Sequence, residues 1–129
     1  MTSVFQTLPM LTRRLLPLLL LIGCATLLST QVQAQSRAEQ AWQLIEQGAV
    51  LIDVRTPPEY QSEHLAGAHN LEYQTITQAI NALKLNQDQP IVVYCRSGRR
   101  SGIAANSLSA LGYRVHNGGG LEELKAARR

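Results

Sequence analysis

The chain is 129 residues long, 45% apolar, 5% aromatic and 16% charged, with a formal net charge of +3. That length has room for one domain with a modest core. The basic excess sits partly at the front: the first 34 residues hold Arg13 and Arg14 and no acidic residue, which leaves +1 for the remainder and gives no electrostatic reason to expect nucleic acid or an anionic membrane as partner.

Residues 1–34 read as an export signal ahead of a folded domain over 35–129. Arg13 and Arg14 form a basic edge, Leu15 to Leu28 is apolar with one proline, and Val32-Gln33-Ala34 is a small-residue cleavage pattern before Gln35. The apolar run is short for a bilayer span. A second route competes, because Leu21-Ile22-Gly23-Cys24 resembles the lipobox of bacterial lipoproteins, although Ala25-Thr26-Leu27-Leu28 continues the apolar run where a tether would turn polar. The first route predicts a periplasmic protein. The second predicts a lipid anchor at Cys24 in the cell envelope, the one way in which a membrane would become a partner. On either route Cys95 is the only thiol of the folded domain, so no internal disulfide is possible. An unpaired thiol kept in an oxidising compartment is a candidate reactive group.

From Arg37 to Gln47, the positions Ala41, Leu44 and Ile45 fall at helical spacing, and Gly48 follows as a C-terminal cap. Ala49-Val50-Leu51-Ile52-Asp53-Val54 reads as a buried strand, ended by Thr56-Pro57-Pro58. Pro58 to Gln61 suits a short helical turn, Ala66-Gly67-Ala68 a loop and Asn70-Leu71 a brief strand. Ile76, Ala79, Ile80 and Leu83 repeat at i, i+3, i+4 and i+7 and form one helical face, which Asn86 to Pro90 breaks. Ile91-Val92-Val93-Tyr94 is a second clear strand, followed by a helix over Ser101 to Leu111 with Ala104, Leu108 and Leu111 on its buried stripe and Gly112 at its end. Tyr113 to His116 is a weaker strand, Gly118-Gly119-Gly120 a tight loop, and Leu121 to Ala127 a last short helix. Strands and helices alternate, and the two clearest strands are apolar runs without a polar alternation. This predicts a small α/β domain whose largely parallel sheet is covered on both faces.

The run Cys95-Arg96-Ser97-Gly98-Arg99-Arg100-Ser101 joins the second clear strand to the helix after it. Parallel sheets bind ligands outside the carboxyl ends of their strands, and a thiol placed there meets the unpaired N–H groups of a helix start, which favour an anion. The three arginines of the loop would stabilise a thiolate and attract a small oxyanion substrate at the same place. The blander reading of Cys95 as a small buried hydrophobe is disfavoured by the glycine and arginines that follow it.

Two blocks of motifs are similar to the rhodanese-like domain family, in its exported single-domain thiosulfate sulfurtransferase form, the phage shock protein E type. The first is Asp53-Val54-Arg55 with Glu59-Tyr60, His64-Leu65, Gly67-Ala68 and Asn70-Leu71. The second is Val93-Tyr94-Cys95 with its loop, then Leu111-Gly112-Tyr113 and Asn117-Gly118-Gly119. The resemblance covers about residues 42–124. It implies a five-stranded, mostly parallel sheet flanked by helices, and a cysteine that carries a persulfide without cofactor or metal. The donor would be thiosulfate or a similar sulfane-sulfur compound, and the acceptor cyanide or a thiol.

The resemblance also suggests roles. Cys95 is the nucleophile, and the backbone N–H groups of Arg96 to Ser101 cradle its charge, with Gly98 making the tight turn. Arg99 and Arg100 are candidates for the sulfonate end of the donor, and Arg96 for the rim. Ser97 and Ser101 are candidate hydroxyl donors, Ser101 equally a plain helix start. Arg55 lies at a neighbouring strand end where it could face the site. Asp53, Glu59, His64 and Gly67 belong to the other motif, Asp53 and His64 being read as structural. Glu63 stands where the family often has glycine, and Leu121 and Leu124 follow the glycines where many members carry an aromatic residue.

Rival readings are weaker on spacing. A phosphatase loop on this fold needs C-x5-R, and the position that would hold its arginine is Ser101. A thioredoxin-like enzyme needs C-x-x-C, and Cys95, His64, His69 and His116 have no recognised zinc-ligand spacing. A non-catalytic binding module of the same fold stays open as the alternative from another class.

Overall fold

A computed structural model describes residues 33–128 of the chain. The expected export signal, with its lipobox-like Cys24, lies outside the described residues apart from its last two positions. Helix α1 (Arg37–Glu46) begins at Ser36, where the hydroxyl accepts the Glu39 N–H at 3.2 Å and the Glu39 carboxylate accepts the Ser36 N–H at 2.9 Å. Strand β1 (Val50–Asp53) leads through Thr56 into α2 (Pro57–Ser62). Proline suits a helix start because the N–H it lacks would have no partner there, and the Glu59 carboxylate accepts both the N–H and the hydroxyl of Thr56, at 3.1 and 2.9 Å. Then follow β2 (His69–Asn70), α3 (Ile76–Ala79), β3 (Ile91–Cys95), α4 (Arg99–Ala110), β4 (Val115–Gly120) and α5 (Leu121–Ala127).

The strands form one parallel sheet in the order β2-β1-β3-β4. Strand β3 is central and buried at every position. Its side chains alternate between two cores. Val92 and Tyr94 join Ala38, Ala41, Leu51, Leu65, Leu121 and Leu124 on the face that carries α1 and α5. Ile91, Val93 and Cys95 join Ile52, Val54, Ile76, Ile80, Ala104 and Leu108 on the face that carries α3 and α4. The alternation turns Cys95 toward the start of α4.

The expected alternation of strands and helices holds, with differences that have local causes. Among the described residues the sheet has four strands where the resemblance implies five. The helix expected over 76–83 is α-helical only to Ala79 and tightens into a 3-10 turn over Ile80–Leu83. The Gly118-Gly119-Gly120 triplet is not a tight loop. It forms the buried end of β4, which runs past Tyr113–His116 to Gly120. The reason is steric: a side chain at Gly118 would meet Ala41 and Val92, and one at Gly120 would collide with the Arg96 carbonyl. Glycine here lets two backbones approach. A register shift at Val93/Tyr94 then brings Cys95 opposite Gly120.

Candidate active site at the carboxyl end of β3

Cys95 is fully buried at the last position of β3. Gly98, at φ 95, makes the left-handed turn that only glycine adopts without strain, and it serves as the N-cap of α4. This turn aims the Gly98 N–H at the Cys95 Sγ, 3.0 Å away. Ser101, in the first turn of α4 and fully buried, places its Oγ 3.4 Å from Sγ. Burial pushes the thiol up, but the Ser101 hydroxyl and the N–H groups of Ser101, Ser97 and Gly98 outweigh it and hold Cys95 below its ordinary value. The loop is thus a nest of donors around one sulfur, suited to a thiolate and to any negative charge passed to an atom bonded to it.

Asn117 in β4 completes the nest. Its Nδ2 donates to the Gly98 carbonyl oxygen at 3.0 Å, while its Oδ1 accepts from the Gly119 N–H at 3.0 Å and the Ser101 hydroxyl at 2.7 Å. Ser101 has one hydroxyl proton and three acceptors within reach: Asn117 Oδ1 at 2.7 Å, Sγ at 3.4 Å and the Gly119 carbonyl oxygen at 3.5 Å. A thiolate competes for that proton more strongly than a neutral thiol, because a charged acceptor makes the stronger bond.

The arginines divide. Arg100 forms a two-bond ion pair with Glu59, Nη1 to Oε2 at 2.8 Å and Nη2 to Oε1 at 2.9 Å. Arg100 holds the Glu59 carboxyl down at about 2, aided by Thr56 against the cost of burial. Arg100 is itself raised first by Glu59, and the charge at Cys95 adds to this. It therefore reaches the site with its charge already balanced. Arg96 and Arg99 are exposed, and their guanidinium groups have no ionic partner among the described residues. Arg96 also lines a cleft of about 430 Å³ with Arg55, Glu59, Ser62, Glu63, Leu121 and Glu122. Ser97 offers Sγ its N–H, while its hydroxyl accepts from the Arg99 N–H at 3.4 Å.

Residues of the first motif are mostly structural. The Asp53 carboxylate accepts the Arg55 N–H at 2.9 Å and grips the Arg55 guanidinium at 2.7 to 3.0 Å, with both side chains buried. Arg55 also donates to the Glu63 carbonyl and lies 5.8 Å from the Tyr94 ring centre. It lines the cleft while its Nε and Nη2 groups hold Asp53 and the Glu63 carbonyl. His64 is exposed, stacked on Tyr60 at 3.7 Å, with Nδ1 2.7 Å from the Tyr60 carbonyl oxygen. Gly67 turns the exposed loop before β2 at φ 80.

Two site residues escaped sequence reading. Arg37, which opens α1, donates from Nη2 to the Ser97 carbonyl oxygen at 3.2 Å and pairs with Glu123 of α5 at 2.7 Å. No local signal points to either, since they lie 86 positions apart and belong to segments without chemical motifs.

The comparisons agree with this geometry. The family described as "Rhodanese-like domain" matches residues 37–127. Over 74 residues the chain is 40% identical to thiosulfate sulfurtransferase PspE of Escherichia coli (strain K12), covering 57% of this chain and 71% of that protein. Over 75 residues it is 41% identical to thiosulfate sulfurtransferase GlpE of Pseudomonas fluorescens, covering 58% of this chain and 67% of that protein. Among solved structures, a rhodanese with anions from E. coli superposes with TM-score 0.56 at 39% identity, over 58% of this chain and 89% of that one. A rhodanese-related protein from Thermoplasma volcanium superposes with TM-score 0.60 at 26% identity, over 69% and 87%. With a cysteine nest at the end of the central strand and a match running from α1 to α5, this chain belongs to the rhodanese-like domain family.

Proposed function

We propose that the protein is a rhodanese-type sulfurtransferase that takes the outer sulfur of thiosulfate onto Cys95 and passes it to a thiophilic acceptor such as cyanide or a thiol. The Cys95 thiolate attacks the outer sulfur, a new S–S bond forms, and the S–S bond of thiosulfate breaks with its electron pair leaving on sulfite. The acceptor then attacks the terminal sulfur of the persulfide, and the Cys95 thiolate is regenerated. The observation that carries this reading is the set of N–H and O–H donors converging on one buried sulfur, with no carboxylate or imidazole hydrogen-bonded to it among the described residues. Such a nest serves a nucleophile that is already ionised and holds the charge of the persulfide afterwards. Arg96 and Arg99, the loop cations without ionic partners among the described residues, are assigned to the sulfonate end of the donor. In this reading the apolar, small-residue segment ahead of residue 35 exports the domain to the periplasm, or holds it at the envelope membrane through a lipid at Cys24.

The test is the intact mass of the purified protein after incubation with thiosulfate, beside Cys95→Ala. Gain of one sulfur on the native chain alone, removed again by cyanide, is the expected result. A folded native chain with a reduced thiol and no added sulfur would sink the reading for this donor and leave a binding module of the same fold.

A further inference from the structure

Cys95 receives its N–H bond from the peptide that joins Ser97 to Gly98, and the other end of that same peptide is held from outside the loop. The Gly98 N–H points at Sγ at 3.0 Å, while the Ser97 carbonyl oxygen accepts from Arg37 Nη2 at 3.2 Å. The guanidinium lies flat against the turn: a Cβ on Gly98 would stand 2.7 Å from Nη1, and one on Gly119 would stand 2.7 Å from Nε. Glu123 fixes Arg37 through two hydrogen bonds, to Nε at 2.8 Å and Nη2 at 2.7 Å, and also accepts the Gly120 N–H at 3.3 Å. The Arg37 carbonyl oxygen lies 2.7 Å from His116 Nε2 of β4, so the backbone of α1 is tied down beside the loop as well.

We infer that Arg37, held by Glu123, is a positioning residue for the sulfur chemistry at Cys95: it clamps the Ser97–Gly98 peptide so that its N–H faces Sγ. The two ends of a peptide point in opposite directions, so a cation bound at the oxygen prevents the plane from turning its N–H away. Donation to the carbonyl also polarises the group and strengthens its N–H as a donor, as in any chain of hydrogen bonds. The clamp deepens the persulfide reading and rests on it, since it matters only if Cys95 carries the reacting sulfur. Arg37 is raised first by its bond to Glu123, against some burial, and the charge at Cys95 adds to this.

The test follows iodoacetamide alkylation of Cys95 against pH in the full chain, with thermal melting alongside, for Arg37→Gln, Arg37→Lys and Glu123→Gln. Below the titration midpoint, Arg37→Gln is expected to slow alkylation about threefold to tenfold, with the full rate recovered at high pH. Arg37→Lys keeps the charge but cannot hold Glu123 and the Ser97 carbonyl at once, so it slows the reaction too. Glu123→Gln separates positioning from simple charge: removing a nearby anion would by itself favour the thiolate and speed alkylation, whereas releasing Arg37 slows it. The pair is half-exposed, at 43% and 38%, so Glu123→Gln decides the matter even if Arg37→Gln fails to fold. An unchanged pH profile, with or without a lower melting temperature, or faster alkylation in Glu123→Gln, overturns the clamp. Alkylation does not depend on sulfur transfer, so a native chain that gains no sulfur from thiosulfate refutes the persulfide reading for that donor separately.

Discussion

Replacing Ser101 with alanine removes one donor from the thiolate and leaves the backbone nest in place. The Oγ lies 3.4 Å from Sγ and 2.7 Å from Asn117 Oδ1, so its single proton must leave a good neutral bond to serve the sulfur. A hydrogen bond to a charged group contributes about 1.5–3 kcal/mol and a neutral one about 1 kcal/mol. The net preference for the thiolate is the difference, about 1 kcal/mol, or roughly fivefold in the ratio of thiolate to thiol. The backbone N–H groups of Ser97, Gly98 and Ser101 survive the change, so the nest weakens without vanishing. The direction follows from the acid: thiolate present above the titration midpoint is lost as pH falls through it, and the variant loses it at a higher pH. The ultraviolet absorbance of the thiolate against pH, or the alkylation rate against pH, would record the change. A midpoint that stays in place or moves down would refute the argument, because burial would then be opposed by the backbone alone.

Two further outcomes are expected. Glu59→Gln should cost about 1–2 kcal/mol of stability at pH 7, a figure discounted for the partial exposure of the pair. The folded Glu59 carboxyl is lowered from 4.5 to about 2, so its contribution is complete above pH 4.5 and fades as pH falls through 2. Urea unfolding of both proteins across that range should show the gap closing, and a gap independent of pH would rule out the ion pair as its source. Gly120→Ala should destabilise by about 1–3 kcal/mol and slow sulfur loading, because the new methyl meets the Arg96 carbonyl and lies 3.3 Å from the Ser97 Cα, backbone that cannot yield without moving the loop. Wild-type loading and stability in that variant would show that β4 and the loop separate freely.

Much of the molecule is written locally. The apolar runs within Val50–Asp53 and Ile91–Cys95 appear as buried parallel strands, and Pro57, Gly48 and Gly112 mark helix ends through backbone preferences that need no tertiary partner. The nest at Cys95 was legible for the same reason: nucleophile, turning glycine and helix start lie within seven consecutive residues. The structural reading of Asp53 rests on equally local ground, since its partner Arg55 lies two positions on. Other features depend on where the chain returns. Composition reads the glycines at 118–120 as a loop, yet they are strand because β4 must lie against the backbone of the cysteine loop. Nothing near Arg100 in the sequence announces its ion pair with Glu59, which α2 delivers from 41 positions away. Arg37 carries no motif at all until α1 and α5 close over the loop and give it Glu123 and the Ser97 carbonyl together. The sequence alone therefore determined most of the strands and helices and placed the one thiol of the domain between a strand end and a glycine turn, because periodicity and turn chemistry act over a few residues. Only the tertiary structure decided which charges are paired among the described residues and which are not, because ion pairing depends on the register and packing of segments far apart in the chain.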